Sequence, residues 1–128
     1  MSERLPCITF QIDVDVDTFF RRVQQVADDM GKFYIDQGKF PLPNDIKSVD
    51  LRVYESNKHK NVMVRFYHSS KYPKRIRVEV SAERWAPENP TYDDYVSAFH
   101  DAMCDFPSRY EKVFGSRLAF EIESKSAQ

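Results

Sequence analysis

The chain has 128 residues, enough for one domain with a substantial hydrophobic core. Hydrophobic residues make up 41% and aromatic residues 14% of the sequence, which is more apolar material than a disordered chain carries. With 19 basic and 20 acidic residues the formal net charge is −1, so no overall field draws the protein to nucleic acid or to an anionic membrane, and any such binding has to be local.

The N-terminal sequence lacks the apolar segment of a signal peptide, and no run approaches the roughly 18 apolar residues of a transmembrane helix. We therefore expect a cytoplasmic protein that does not enter membranes. The two cysteines, Cys7 and Cys104, lie too far apart in sequence for a local zinc or redox motif, and we expect both to be free thiols.

The first predicted element is a β-strand over residues 7 to 16, because hydrophobic and polar side chains alternate there. From about residue 17 hydrophobic side chains recur every three or four positions, which predicts an amphipathic helix that includes Phe33 and Tyr34. The next segment, residues 38 to 46, contains two prolines and is predicted to be an extended connector.

Three further strands are predicted in quick succession, over residues 48 to 54, 62 to 68 and 75 to 82. Their hydrophobic residues alternate with polar ones, and the segments between them are short and polar. These features are typical of an antiparallel meander with one buried face.

A second helix is predicted to begin at Thr91, which together with Asp94 resembles a capping box. Its hydrophobic stripe continues past Pro107 in the same register, so we expect either one helix kinked there or two helical segments that share a face. Gly115 is expected to end it, and residues 117 to 124 form the last predicted strand.

The predicted order is β-α-β-β-β-α-β. One-sided strands and helices are best buried in a two-layer α+β sandwich, with a five-stranded, mainly antiparallel sheet and both helices on one face. We expect residues 1 to 124 to form this single domain and residues 125 to 128 to be a frayed tail.

The spacing of Asp13, Asp15 and Asp17 matches the first half of a calcium-binding loop. Such a loop would need glycine and glutamate at the positions held by Thr18 and Gln24, so we expect no metal site. The aspartates are better explained as polar positions of a strand and as the N-cap of the following helix, at Asp17 or, if the helix begins early, at Asp15. With three glycines in the whole chain, no nucleotide-binding loop can be written, and no cofactor is predicted.

The sheet face that points away from the helices is the main candidate for a binding surface, because alternate positions of the meander place arginines beside an aromatic residue. Arginine, tyrosine and methionine are enriched in protein interfaces, which favours a protein partner. The same combination could instead contact the phosphates and bases of a single-stranded nucleic acid. The third alternative is a solvated face on which the arginines pair with carboxylates across strands. The candidate residues are Arg52, Met63, Arg65, Tyr67, Arg75 and Arg77.

A second candidate site consists of aromatic residues in or near the connectors, Trp85, Tyr92 and Phe40, which would lie together if both connectors are at the same end of the sandwich. A third candidate is the pair His100 and Cys104, whose spacing of four could activate a thiolate.

No glycine-rich turn offers an oxyanion hole for such a thiolate, so we predict no catalytic residues. The sequence favours a small binding or regulatory protein that acts through protein contacts, a second copy of the chain being one such partner. A nucleic-acid-binding module and an enzyme that uses His100 and Cys104 are the two alternatives.

Overall fold

The computed structural model of the protein describes residues 4–36, 44–53, 62–82, 89–118 and 120–122. Six strands and three helices lie in this part of the chain. In chain order they are β1 (Cys7–Gln11), α1 (Val16–Met30), β2 (Phe33–Asp36), β3 (Ile46–Val53), β4 (Val62–Ser69), β5 (Arg75–Ala82), α2 (Tyr92–Met103), α3 (Phe106–Phe114) and β6 (Phe120–Ile122).

All strands belong to one antiparallel sheet with the order β2-β3-β4-β5-β1-β6. The meander of β3, β4 and β5 lies in its centre, as the short polar connections predict. β1 pairs with β5 on one side and with β6 on the other, so the first and last described strands are neighbours at one edge of the sheet. The predicted α+β fold and the order of its main elements are confirmed.

The core lies between one face of the sheet and the three helices. Phe66 of β4 is fully buried at its centre, and its ring centroid lies 6.3 Å from that of Phe19 in α1 and 5.3 Å from that of Phe106 in α3. α2 packs on β4 and β5 through Ala98 and Ala102, whose small side chains are buried in the same cluster. The two layers therefore share one continuous hydrophobic core, with all three helices on one face of the sheet.

The first helix is shorter than its hydrophobic stripe suggests. It ends at Met30, because Gly31 adopts a left-handed conformation with φ of 76° and its N–H donates to the carbonyl of Ala27. Phe33 and Tyr34, which the spacing assigned to the helix, instead begin β2, a strand that pairs with β3. The helical periodicity of these two residues was coincidental.

Two other elements differ from the prediction in where they end. β1 ends at Gln11 rather than at residue 16, although the N–H of Ile12 still donates to the carbonyl of Lys74 at 2.7 Å. The second predicted helix is two segments, α2 and α3, with Pro107 in the first turn of α3, where its missing N–H costs no helical hydrogen bond. Of the two expected arrangements, the one with two helical segments that share a face is therefore correct.

Candidate functional site

The strand pairing brings side chains from four strands into rows across the sheet face that lies opposite the helices, which we call the outer face. In one row Asp50 lies beside Arg65, and Arg65 lies beside Glu79. In the next row Ser48, Tyr67, Arg77 and Thr9 are neighbours on successive strands. Residues as distant in sequence as Thr9 and Arg77 therefore meet on one surface.

Arg65 and Asp50 form the best-defined interaction of the outer face. Arg65 Nε donates to Asp50 Oδ1 at 2.5 Å, and Nη2 donates to Oδ2 at 3.1 Å, so the guanidinium group holds both carboxylate oxygens. Asp50 is only 1% exposed. The hydrogen bonds to Asp50 raise the pKa of Arg65 above its ordinary value, so its guanidinium group stays charged.

Two other arginines of the outer face also lie beside carboxylates. Arg52 Nε is 3.0 Å from Asp36 Oδ2, in an ion pair whose geometry is not that of an aligned hydrogen bond. Arg77 forms an ion pair with Glu79, two residues further along β5. The basic patch that the sequence suggests is therefore largely neutralised within the protein.

Met63 and Tyr67 take different roles on this face. Met63 is 4% exposed, and its sulfur lies 3.7 Å from Nη2 of Arg65, so it offers little surface to a partner. Tyr67 is half-buried, and its hydroxyl accepts a hydrogen bond of 3.4 Å from Nη1 of Arg65. Because Arg65 contacts both residues as well as Asp50, it organises the centre of the outer face.

A groove of about 340 Å³ opens at the end of the outer face where the turn between β4 and β5 lies. We call it the hairpin groove. Arg75 and Arg77 from β5 line it together with Tyr67 from β4, and Thr9 of the neighbouring β1 completes one side. Three of the six arginine, methionine and tyrosine residues singled out in the sequence are thus brought together in one concave site.

The turn that borders the hairpin groove is well braced. The N–H of Tyr72 donates to the carbonyl of Ser69 at 3.0 Å, and the N–H of Arg75 donates to the carbonyl of Tyr72 at 2.9 Å. His68 Nε2 lies 3.0 Å from the carbonyl oxygen of Pro73. Within this turn the guanidinium carbon of Arg75 lies 4.4 Å from the centroid of the Tyr72 ring, in a cation–π contact.

Sequence analysis missed Tyr72, Ser69 and Thr9 as members of this groove. Tyr72 precedes a proline in a polar turn, where a large aromatic residue is exposed. This unusual exposure is the one local signal that could have identified Tyr72 as a binding residue. Thr9 carries no such signal, because its position beside Arg77 depends on the strand order.

The aromatic residues proposed for a loop-end site are not brought together by the part of the chain that the structure describes. Trp85 and Phe40 lie outside the described residues. Tyr92 is the first residue of α2 and is 38% exposed. This site stays a prediction.

His100 and Cys104 are both exposed, on the last turn of α2. The N–H of Cys104 donates to the carbonyl of His100 at 2.9 Å, as in any helix end, and Cys104 Sγ lies 3.9 Å from the carbonyl oxygen of Asp101. Among the hydrogen bonds of the described residues none joins the thiol to the imidazole. Neither Cys7 nor Cys104 takes part in a disulfide bond.

Two of the three N-terminal aspartates, Asp15 and Asp17, have separate structural roles. Asp15 is the N-cap of α1: its carboxylate accepts bonds from the Thr18 N–H at 3.2 Å and from the Thr18 hydroxyl at 2.6 Å. Asp17 pairs with Lys47 at 3.1 Å. No group of three or more potential metal-binding side chains occurs within the described ranges.

No protein-family model and no curated protein matches the sequence. Within the same described ranges, none of the helices has the length and apolar character needed to cross a membrane. Functional inference therefore rests on the geometry of the outer face and of the hairpin groove.

Proposed function

We propose that the protein is a non-enzymatic binding or regulatory protein that contacts a protein partner through its outer sheet face. The observation that carries this proposal is the internal neutralisation of that face, where Arg52, Arg65 and Arg77 each lie beside a carboxylate. A near-neutral face that keeps arginine and tyrosine side chains suits a protein interface.

The same observation counts against the nucleic-acid alternative. Binding to a phosphate backbone draws its affinity from lysine and arginine charges that neutralise successive phosphates. Arginines that already hold carboxylates, such as Arg65 with both oxygens of Asp50, would have to give up those bonds first. The catalytic alternative has support only from the sequence spacing of His100 and Cys104.

The test is site-specific photo-crosslinking in the native host. A photoreactive phenylalanine analogue would replace Tyr67 on the outer face in one variant and Val113, which is 43% exposed on α3, in the matched control. We expect cross-linking to a discrete protein from position 67 and not from position 113. Equal cross-linking from both positions, or a cross-link to nucleic acid from position 67, would contradict the proposal.

Light scattering on the purified protein distinguishes self-association from binding to another protein. If the partner is a second copy, the cross-linked product has twice the monomer mass, and a Tyr67→Ala variant shifts the protein toward the monomer. If the protein is monomeric at micromolar concentration and still cross-links through position 67, the partner is a different protein.

A further inference from the structure

The hairpin groove differs in charge from the rest of the outer face. Arg75 and Arg77 bring two positive charges to its lining, and Glu79 brings one negative charge that is held by Arg77. No carboxylate of the described residues lies within ion-pair distance of Arg75, whose interaction is with the Tyr72 ring. The groove thus combines one uncompensated guanidinium group with aromatic walls.

We propose that the hairpin groove binds a carboxylate side chain from an acidic segment of the protein partner, with Arg75 as its ligand. This inference rests on the proposed function and names the chemistry of the partner. Arg75 is exposed, and a guanidinium group can donate two parallel hydrogen bonds to one carboxylate. The rings of Tyr67 and Tyr72 border the same space and would pack on the carbon atoms of the bound segment.

The charge balance favours a carboxylate over a phosphate group. Among the described lining residues, the excess of one positive charge matches a single negative charge, whereas a phosphate monoester carries about −1.5 to −2 charges at neutral pH. Apart from Arg77, which already holds Glu79, the donors beside Arg75 include neutral hydroxyl groups, such as those of Ser69 and Thr9. Stacking of a nucleic-acid base is also disfavoured, because one face of the Tyr72 ring already contacts Arg75 and is not open to a base.

The hydrogen-bonded turn reduces the loss of conformational entropy when a ligand binds at this site. The backbone hydrogen bonds of Ser69, Tyr72 and Arg75 fix the backbone positions of Tyr72 and Arg75 before a ligand arrives. A preorganised site loses less conformational freedom on binding than a loop that must first become ordered. The groove volume of about 340 Å³ lies at the lower end of the roughly 300 to 1,000 Å³ that is typical of ligand pockets.

The experiment is a nuclear magnetic resonance titration of the isotope-labelled full chain with a blocked hexapeptide of alternating Glu and Tyr residues. The matched Gln and Tyr peptide, inorganic phosphate and a short oligothymidylate are the comparison ligands. We expect saturable shifts of the amide signals of Ser69, Arg75 and Arg77 with the Glu peptide, and at least tenfold weaker binding of each comparison ligand.

Variants separate a specific carboxylate site from general charge attraction. Arg75→Gln is expected to weaken binding of the Glu peptide at least tenfold. The affinity of Arg75→Lys should lie between those of the wild-type protein and Arg75→Gln, because lysine keeps the charge but loses the planar pair of donors. Arg21→Gln makes the same charge change on the exposed side of α1 and should leave affinity within twofold. Equal binding of the Gln peptide, tighter binding of phosphate or oligothymidylate, or unchanged affinity in Arg75→Gln would overturn the inference.

The two proposals can fail separately. If Arg75→Gln still forms the cross-link through position 67 and the Glu peptide shows no preference for the groove, the protein-binding face stands and the carboxylate site does not. If the Glu peptide binds the groove as expected but position 67 yields no protein cross-link, the site stands as a ligand groove and the proposed partner role of the outer face is wrong.

Discussion

Arg65 of β4 holds both carboxylate oxygens of Asp50 on the neighbouring strand, through bonds of 2.5 and 3.1 Å. Asp50 is almost completely buried, whereas the Arg65 side chain keeps some contact with solvent. The two residues are therefore unequal: Arg65 can be solvated without its partner, and Asp50 cannot. A buried charge that loses its partner is costly, because nothing replaces the hydration it gave up.

Arg65→Ala should lower the free energy of unfolding by about 3 kcal/mol, because it leaves the Asp50 carboxylate buried without its counter-charge. Urea unfolding monitored by circular dichroism measures the change. Lys47→Ala serves as the control, since it removes an ion pair with Asp17 in which both side chains are more than half exposed. Such surface pairs contribute about 0 to 1 kcal/mol, so a similar loss in both variants would contradict the expectation.

Removal of both partners should cost less than removal of Arg65 alone. Once Asp50 is also alanine, no buried charge is stranded, and the double variant Asp50→Ala with Arg65→Ala is expected to recover roughly 1 to 3 kcal/mol relative to Arg65→Ala. A double-mutant cycle in urea measures this coupling. Additive losses would show instead that the two side chains stabilise the sheet independently, through packing.

The sequence was sufficient for most of the fold because each main element carries a clear periodicity. Alternation of hydrophobic residues located β4 and β5 to within one residue, and the Thr91 and Asp94 pair located the start of α2 through a capping box that the structure confirms. Phe33 and Tyr34 were misassigned because a stripe with a period of three to four can continue by chance. Gly31 was the missed signal, since a left-handed glycine ends the helix before them.

The candidate site was predicted only in its composition. Alternation within the strands predicts which residues share one sheet face, namely Arg65, Tyr67, Arg75 and Arg77. That Arg65 is held by Asp50 depends on the register between β3 and β4, which the sequence of either strand does not fix. The burial of Asp50 is likewise a tertiary property, and without it the face looked basic rather than neutral.

The N-cap of α1 should make part of the stability depend on pH. The hydrogen bonds from the Thr18 side chain and backbone lower the pKa of Asp15 below 3.8, so its contribution is complete above about pH 4 and is lost as the pH falls through the lower folded-state value. Asp15→Asn keeps a capping oxygen but does not titrate. Melting temperatures of both proteins between about pH 6 and pH 2.5 should show the wild-type protein losing stability relative to the variant. If the difference in melting temperature between the two proteins stays constant over this pH range, Asp15 does not have this role.

Truncation of the central core residue should be among the most damaging single changes. Phe66 is fully buried between the rings of Phe19 and Phe106, and its replacement by alanine leaves a cavity where α1, α3 and the sheet meet. Phe66→Ala is expected to cost about 3 to 5 kcal/mol in urea unfolding. Phe66→Leu, which fills most of the space, should cost clearly less. Equal losses in the two variants would mean that cavity formation is not the cause.

Gly115 ends α3 in a left-handed conformation with φ of 71°, and its N–H donates to the carbonyl of Glu111 at 2.8 Å. A Cβ atom added there would meet nothing within 4 Å, so the only penalty for another residue is its own backbone strain. We therefore expect Gly115→Ala to cost about 1 kcal/mol and Gly115→Asn clearly less, because asparagine tolerates this conformation better than alanine. Thermal unfolding of the two variants measures the difference. If alanine and asparagine cost the same, the loss comes from the added side chain rather than from backbone conformation.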